Sequence, residues 1–253
     1  MKRVRFGTKS FAPELIVFDK DGTLIDFKST WLPVLKKRIE IVLEAIDNEH
    51  DRDAITGEIY RTFGVDGQEV DPYGPLVYTS LREDETIVAT ILYRYGTPWE
   101  EAKKIAHHSA SGADRLTDRA AGAKLLDGVK ETLESIRNSG IALALATADL
   151  SERAHEILQN TKINGLFDIV IGSDNVERDK PDEEMIVKAY SSLEVTPEKV
   201  AYVGDTVTDM EMGKRAGVGL VVGVTGGGVT PREELEKFTD VVIESLRDIA
   251  VEE

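Results

Sequence analysis

The sequence contains no cysteine. That excludes disulfides, thiolate metal sites and cysteine nucleophiles, and it fits a cytoplasmic protein. Long hydrophobic runs are missing as well: no apolar stretch approaches the roughly 20 residues that a membrane-spanning helix needs. Met1 to Ser10 is mildly basic, but the apolar stretch that follows is only Leu15 to Phe18, and Asp19 interrupts it. This argues against a secretory signal. Nor is there an excess of positive charge, because 47 Asp and Glu outnumber 31 Lys and Arg for a net charge of −16. So acidic a surface repels nucleic acid phosphates and anionic membranes, and neither is expected as a partner.

What is present is a chain of 253 residues, 41% hydrophobic and 31% charged, enough to bury a core in one large domain or two modest ones. Several apolar runs are continuous rather than alternating: Leu15–Phe18, Ile141–Ala146, Asp168–Ile171, Val200–Val203, Gly219–Val222 and Val241–Ile243. Runs of that length suit strands buried on both faces, as in a parallel sheet. Helical patterns lie between them. Val129, Leu133 and Ile136 recur at helical spacing before Gly140, and helices are expected around Glu183–Leu193 and Thr208–Ala216. Strands alternating with helices predict a doubly wound, mostly parallel α/β sheet.

Phe27 to about Gly122 reads differently, with helical periodicity and no convincing strand. One helix is expected through Trp31, Leu35, Ile39, Val42 and Ile46, capped by Ser29 or Thr30 with Pro33 in its first turn. A second runs through Ile87, Val88, Ile91, Leu92 and Tyr95, and a third follows Thr97-Pro98 through Trp99, Ala102 and Ala106. Gly64, Gly67, Pro72, Gly74 and Pro75 mark a loop between the first two groups. The expected organisation is an α/β core, residues 1–26 and 123–253, with an all-helical insertion at 27–122.

Two segments carry the strongest chemical signal. In Leu15-Ile-Val-Phe-Asp19-Lys-Asp21-Gly-Thr23, a buried strand ends in two carboxylates one residue apart. Positions i and i+2 of a strand share a side, so one carboxylate can attack while the other handles a proton. In Val203-Gly-Asp205-Thr-Val-Thr-Asp209, a second strand ends in a carboxylate, and another follows four residues later. Such carboxylates suit a hard cation, magnesium being the expected one. Thr147, after Ile141–Ala146, offers a hydroxyl and, with Ala148, backbone N–H groups for a phosphoryl oxygen. Lys180, before Pro181, supplies positive charge. In open α/β sheets ligands bind at the carboxyl ends of strands, and these parts are what phosphoryl transfer requires.

In this order the segments resemble the haloacid dehalogenase-like hydrolase superfamily: Asp19-x-Asp21-Gly-Thr its first motif, Thr147 its second, Lys180-Pro181 its third and Gly204-Asp205-x-x-x-Asp209 its fourth. The resemblance spans about Glu14 to Phe27 and Ala123 to Thr225 and is weak across the insertion. It implies a Rossmann-like core and a magnesium-dependent phosphatase acting on a small phosphomonoester. Asp19 would become an aspartyl-phosphate, and Asp21 would protonate the leaving oxygen and then activate water. The metal would be held by Asp19, the Asp21 backbone carbonyl and Asp205, with Asp209 on a metal-bound water or orienting Lys180. Thr147 and Lys180 would bind the phosphoryl group. The second carboxylate of the first motif, Asp21, favours phosphoester over carbon–halogen chemistry. The helical insertion resembles the cap of the phosphoglycolate phosphatase-like branch, which closes over the site and reads the leaving group. Two departures stand out: Ala148 then Asp149 where many relatives have Asn after the threonine, and Glu183 where many have a second proline. Rival readings are a sugar-phosphate mutase resembling β-phosphoglucomutase, a pyrophosphatase, or a non-catalytic binding protein. A monomer or homodimer is expected.

Plainer readings apply elsewhere. Gly226-Gly-Gly228 lacks the Gly-Lys-Ser/Thr ending of a nucleotide P-loop and reads as a flexible surface loop, near the site or away from it. The adjacent His107 and His108 point apart on a helix and suit ordinary roles. Trp31, Tyr95 and Trp99 are expected to pack a helical core, and Lys28 and Arg94 to be solvated.

Overall fold

The computed structural model describes residues 2–46, 51–117, 122–239 and 241–252. In chain order its strands and longer helices are β1 (Val4–Phe6), β2 (Lys9–Phe11), β3 (Leu15–Phe18), α1 (Phe27–Ala45), α2 (Arg52–Thr62), β4 (Val65–Asp66), β5 (Glu69–Val70), α3 (Leu81–Arg94) and α4 (Trp99–Leu116). There follow α5 (Val129–Asn138), β6 (Ala142–Ala146), α6 (Ser151–Asn160), β7 (Ile169–Ile171), α7 (Glu184–Ser192), β8 (Val200–Gly204), α8 (Val207–Arg215), β9 (Leu220–Val224), β10 (Val242–Ile243) and β11 (Ile249–Val251). The chain divides into two compact units, Met1–Phe27 with Ala123–Glu253, and Lys28–Gly122.

The first unit is built on a six-stranded sheet in the order β10-β9-β8-β3-β6-β7, with every pairing parallel. A strand between two neighbours and two covered faces has no solvent side, so β3 consists only of Leu15, Ile16, Val17 and Phe18, all buried. Leu15 and Val17 pack with Ala144, Ala146, Val200 and Tyr202 and with Met185, Ile186 and Ala189 of α7. Helix α5 sets Val129, Leu133 and Ile136 into the core, and the chain turns at Gly140 with φ +87°. From β3 the sheet grows through β6 to β7, and the chain then crosses back to add β8, β9 and β10 on the other side of β3. This is the doubly wound sheet that the alternating pattern predicts, and its order reverses at β3, the kind of switch point outside whose strand ends open α/β sheets bind ligands. A separate antiparallel sheet, β11-β1-β2, ties the two ends of the chain together.

The second unit is mainly helical. Helix α3 begins with a capping box in which Ser80 Oγ accepts from the Glu83 amide and the Glu83 carboxylate accepts from the Ser80 amide at 2.8 Å. Val88, Ala89, Ile91 and Leu92 of α3 and Ala102, Ile105 and Ala106 of α4 are buried. Trp31 packs on Val34, Ile41 and Ala113. Buried Arg38 reaches Asp84 at 3.2 Å and lies 5.7 Å from the Phe63 ring centre.

Three local expectations change. Helix α1 starts at Phe27, so Ser29 and Thr30 lie inside its first turn and do not cap it. The Gly- and Pro-rich stretch expected as a loop contains a two-residue hairpin, β4-β5, because Gly64 and Gly67 take φ of +75° and +61° and fold it back. Trp99 is exposed and meets Tyr93 edge-on, with ring centres 6.1 Å apart, and does not fill a core.

Candidate active site

The register of the parallel sheet sets the site. Phe18 is level with Leu145 of β6 and with Val203 of β8, so the residues that leave these three strands emerge side by side. They include Asp19, Thr147 and Asp205. The Asp19 amide still donates to the Val203 carbonyl at 2.9 Å, which anchors the carboxylate at the very end of the ladder. The chain then turns sharply, with the amides of Leu24 and Ile25 both donating to the Lys20 carbonyl at 2.9 and 3.0 Å. Gly22 sits in this turn at φ +85°, and a Cβ there would lie 2.2 Å from Asp205 Oδ2. Both backbone and space demand glycine.

Lys180 joins two of these elements. Its ammonium donates to Asp19 Oδ1 at 2.5 Å and to Asp209 Oδ1 at 2.8 Å. Burial opposes the Lys180 charge, but Asp19 and Asp209 outweigh it and hold the ammonium protonated well above its usual range. Asp209 sits in the first turn of α8, where its Oδ2 accepts from the Thr206 amide at 3.0 Å and the Thr206 hydroxyl at 2.6 Å, while the Tyr202 hydroxyl donates to Oδ1 at 2.6 Å. Burial pushes its carboxyl up, and Lys180 with these hydrogen bonds more than reverses that, so it is held below the ordinary value. Asp205 has far less support. Its Oδ1 accepts from the Thr23 hydroxyl at 3.3 Å. Burial, then the Asp19 and Asp209 charges, push it well above the carboxylate range. Asp19 is raised to about 7, by burial first and against the pull of Lys180.

Thr147 and Asp21 belong to a second branch. The Thr147 hydroxyl accepts from the Asp149 amide at 3.1 Å. Ala148 between them is exposed and offers only its backbone. The Asp149 carboxylate lies 3.3 Å from the Lys20 ammonium, which in turn lies 2.8 Å from Asp21 Oδ2. Asp21 Oδ1 is buried with no hydrogen-bond partner among the described residues.

One oxygen each from Asp19, Asp205 and Asp209 lie within 4.8 Å of one another, all on buried residues. Among the described residues these three carboxylates face one ammonium, and Asp205 makes no ion pair of its own. An all-oxygen set with surplus negative charge fits a hard divalent cation. Lys20 engages Asp21 Oδ2, and the contribution expected of Asp21 to such a cation is its backbone carbonyl.

The glycine run at 226–228, expected as a flexible surface loop, is closely packed. A Cβ on Gly228 would lie 2.0 Å from Asp205 Oδ2, one on Gly227 would lie 1.9 Å from Leu126 Cδ1, and one on Gly226 would lie 2.2 Å from the Glu244 carbonyl oxygen. Gly228 is glycine because backbone passes beside the Asp205 carboxylate, whereas Gly226 and Gly227 are crowded by Glu244 and by Leu126. Sequence reasoning gave no role to Lys20, Tyr202 or Thr206, quoted Thr23 only as part of a motif, and noted Asp149 only as a departure. The Ala148-Asp149 departure was the available signal for the Lys20 pair, but its partner lies 129 residues away. His107 pairs with Glu85 on the surface, and Lys28 and Arg94 form exposed pairs with Glu69 and Glu58, as ordinary solvated side chains do.

Comparison with known proteins gives a consistent result. A family model described as haloacid dehalogenase-like hydrolase matches residues 13–217. A phosphoglycolate phosphatase of Salmonella paratyphi A is 28% identical over 243 residues, covering 92% of this chain and 90% of the relative. An N-acetylmuramic acid 6-phosphate phosphatase of Pseudomonas aeruginosa is 25% identical over 257 residues, covering 98% and 95%. Among solved structures, a haloacid dehalogenase-like hydrolase of Bacteroides fragilis superposes with a TM-score of 0.66 at 25% identity, over 92% of this chain and 98% of that one.

Proposed function

The chain belongs to the haloacid dehalogenase-like hydrolases, and from that premise we propose that this phosphoric monoester hydrolase works through an aspartyl-phosphate on Asp19 with magnesium as its cation. One observation carries the reading: Lys180 bridges Asp19 and Asp209 while Asp205 stands within 4.8 Å of both, a convergence of three separate chain segments.

In this mechanism an Asp19 carboxylate oxygen attacks phosphorus and the ester P–O bond breaks. Asp21 gives its proton to the departing oxygen. It then takes a proton from water as that water attacks the acyl phosphate, releasing phosphate and restoring Asp19. Lys180 holds the Asp19 carboxylate in place and offsets charge on the phosphoryl oxygens. Thr147 and the Ala148 amide bind the phosphoryl group. Asp19, Asp205, Asp209 and the Asp21 backbone carbonyl would hold magnesium, which supplies positive charge for the phosphoryl oxygens. The helical unit is assigned the role of a cap that selects the organic part of the ester. The substrate class is a small phosphomonoester, with phosphoglycolate the first to try in light of the Salmonella relative. The absence of cysteine suits a cytoplasmic enzyme.

The test is Asp19→Asn, assayed by phosphate release from para-nitrophenyl phosphate and phosphoglycolate with magnesium. Turnover is expected to fall by at least about 10³-fold with the melting curve retained. Retained turnover would rule out the covalent route. Isomerised sugar phosphate in place of free phosphate would favour a mutase.

A further inference from the structure

Lys20 is a buried charge that the mechanism above leaves unused. Lys20 is fully buried, although its backbone lies between Asp19 and Asp21. A buried ammonium is tolerated only when paired. Here it is paired twice, with Asp21 Oδ2 at 2.8 Å and Asp149 Oδ2 at 3.3 Å. The other Asp149 oxygen accepts from the Leu150 amide at 2.9 Å and lies 3.5 Å from Arg153. The Asp149 amide in turn donates to the Thr147 hydroxyl. A continuous chain therefore runs from Thr147 at the end of β6 through Asp149 and Lys20 to Asp21 at the end of β3. It terminates on one oxygen of Asp21. The other, Oδ1, is shut away from water with no partner among the described residues. A buried carboxylate oxygen without a donor is a costly arrangement, and functional sites are where such costs persist.

We propose that Lys20, anchored on Asp149, is a positioning residue for proton transfer: it binds Asp21 Oδ2 and so reserves Oδ1 for the oxygen of the ester and then of water. The inference rests on the acid/base role given to Asp21 above. Lys20 touches neither phosphorus nor leaving group. It fixes which Asp21 oxygen is available and stops the carboxyl from rotating. The pairing also accounts for the departure after Thr147, because Asp149 supplies the anchoring charge that Lys20 requires.

A positioning role and a purely structural one differ in how they respond to the leaving group. An alkyl phosphate needs a proton on its departing oxygen, whereas dinitrophenolate leaves without one. The ratio of kcat/KM for glycerol phosphate to that for dinitrophenyl phosphate isolates this need, because kcat/KM stops at formation of the aspartyl-phosphate. Lys20→Met and Asp149→Asn are compared with wild type and with Asp21→Asn. Asp149→Asn keeps the shape and an oxygen for the Lys20 ammonium, so it decides the matter if Lys20→Met fails to fold. Asp149→Asn is expected to lower the ratio by about 10-fold, and Lys20→Met by about 100-fold. An equal loss on both esters, or no loss on either, would overturn the proposal. An unchanged ratio in Asp21→Asn would instead overturn the acid/base role of Asp21, and no turnover of either ester by wild type would overturn the phosphatase mechanism itself.

Discussion

The Lys180 ammonium lies 2.5 Å from Asp19 Oδ1, across 161 residues of chain. Its second bond, to Asp209, makes it a strut between the end of β3 and the first turn of α8. With Asp19 as nucleophile, the same contact orients the attacking oxygen and neutralises charge beside it.

Replacing Lys180 by methionine should therefore lower kcat/KM for para-nitrophenyl phosphate by about 10²–10³-fold. It also leaves Asp19 and Asp209 facing each other without a cation. In ion-free buffer near neutral pH the variant should melt below wild type, and magnesium should recover part of the difference. Steady-state kinetics and melting with and without magnesium check both halves.

Cation binding should release protons. Burial raises the Asp19 carboxyl to about 7 and pushes Asp205 well above the carboxylate range. A cation requires the ionised forms. Below about pH 7 the Asp19 carboxyl is protonated, and the raised Asp205 carboxyl holds its proton more tightly than an ordinary carboxyl, so binding must displace protons and affinity must fall as pH falls. Calorimetric titration with magnesium at pH 6 and 8, in buffers of different ionisation enthalpy, should show weaker binding and greater proton release at pH 6. Equal affinity at both values would contradict the cluster as the cation site.

Asp205→Asn should stabilise the ion-free protein while removing its response to magnesium. The sign follows from the raised carboxyl. The folded state holds the Asp205 proton more tightly than the unfolded state does, so stability is lost as pH rises above the ordinary carboxylate value. Asparagine removes that loss. A rise of about 2–4 °C in melting temperature at pH 7.5 is expected without metal, together with loss of the upward shift that magnesium gives wild type. A lower melting temperature in the variant would refute the sign.

Gly228→Ala tests the close approach to Asp205 without touching any charge. The added methyl would lie 2.0 Å from Asp205 Oδ2, so the carboxylate must move. Magnesium affinity should weaken by about 10-fold or more. Gly57→Ala, in helix α2 with nothing within 4 Å of the new carbon, should leave affinity unchanged.

The architecture was readable because it follows from local pattern. Four consecutive apolar residues at Leu15–Phe18 must be a doubly buried strand, and each of the six apolar runs became a strand of the parallel sheet. The hairpin β4-β5 escaped notice because two-residue strands have no periodicity to detect. The first turn of α1 was misplaced because Ser29 and Thr30 are good caps but Phe27 is already helical. Glycines 226–228 looked flexible because a sequence records an absent side chain and not the neighbour that forbids one.

The sequence by itself determined which polar residues stand at strand ends: the carboxylates Asp19, Asp21 and Asp205 and the hydroxyl of Thr147 each come just after an apolar run, and that is a property of a few adjacent residues. Only the tertiary structure decided that Lys180 meets Asp19 and Asp209, that Lys20 is buried against Asp149, and that Gly228 lies against Asp205. Those are pairings between segments far apart in the chain. They arise from the register of β3 with β6 and β8, and register is set by how all the strands pack together and not by any one of them.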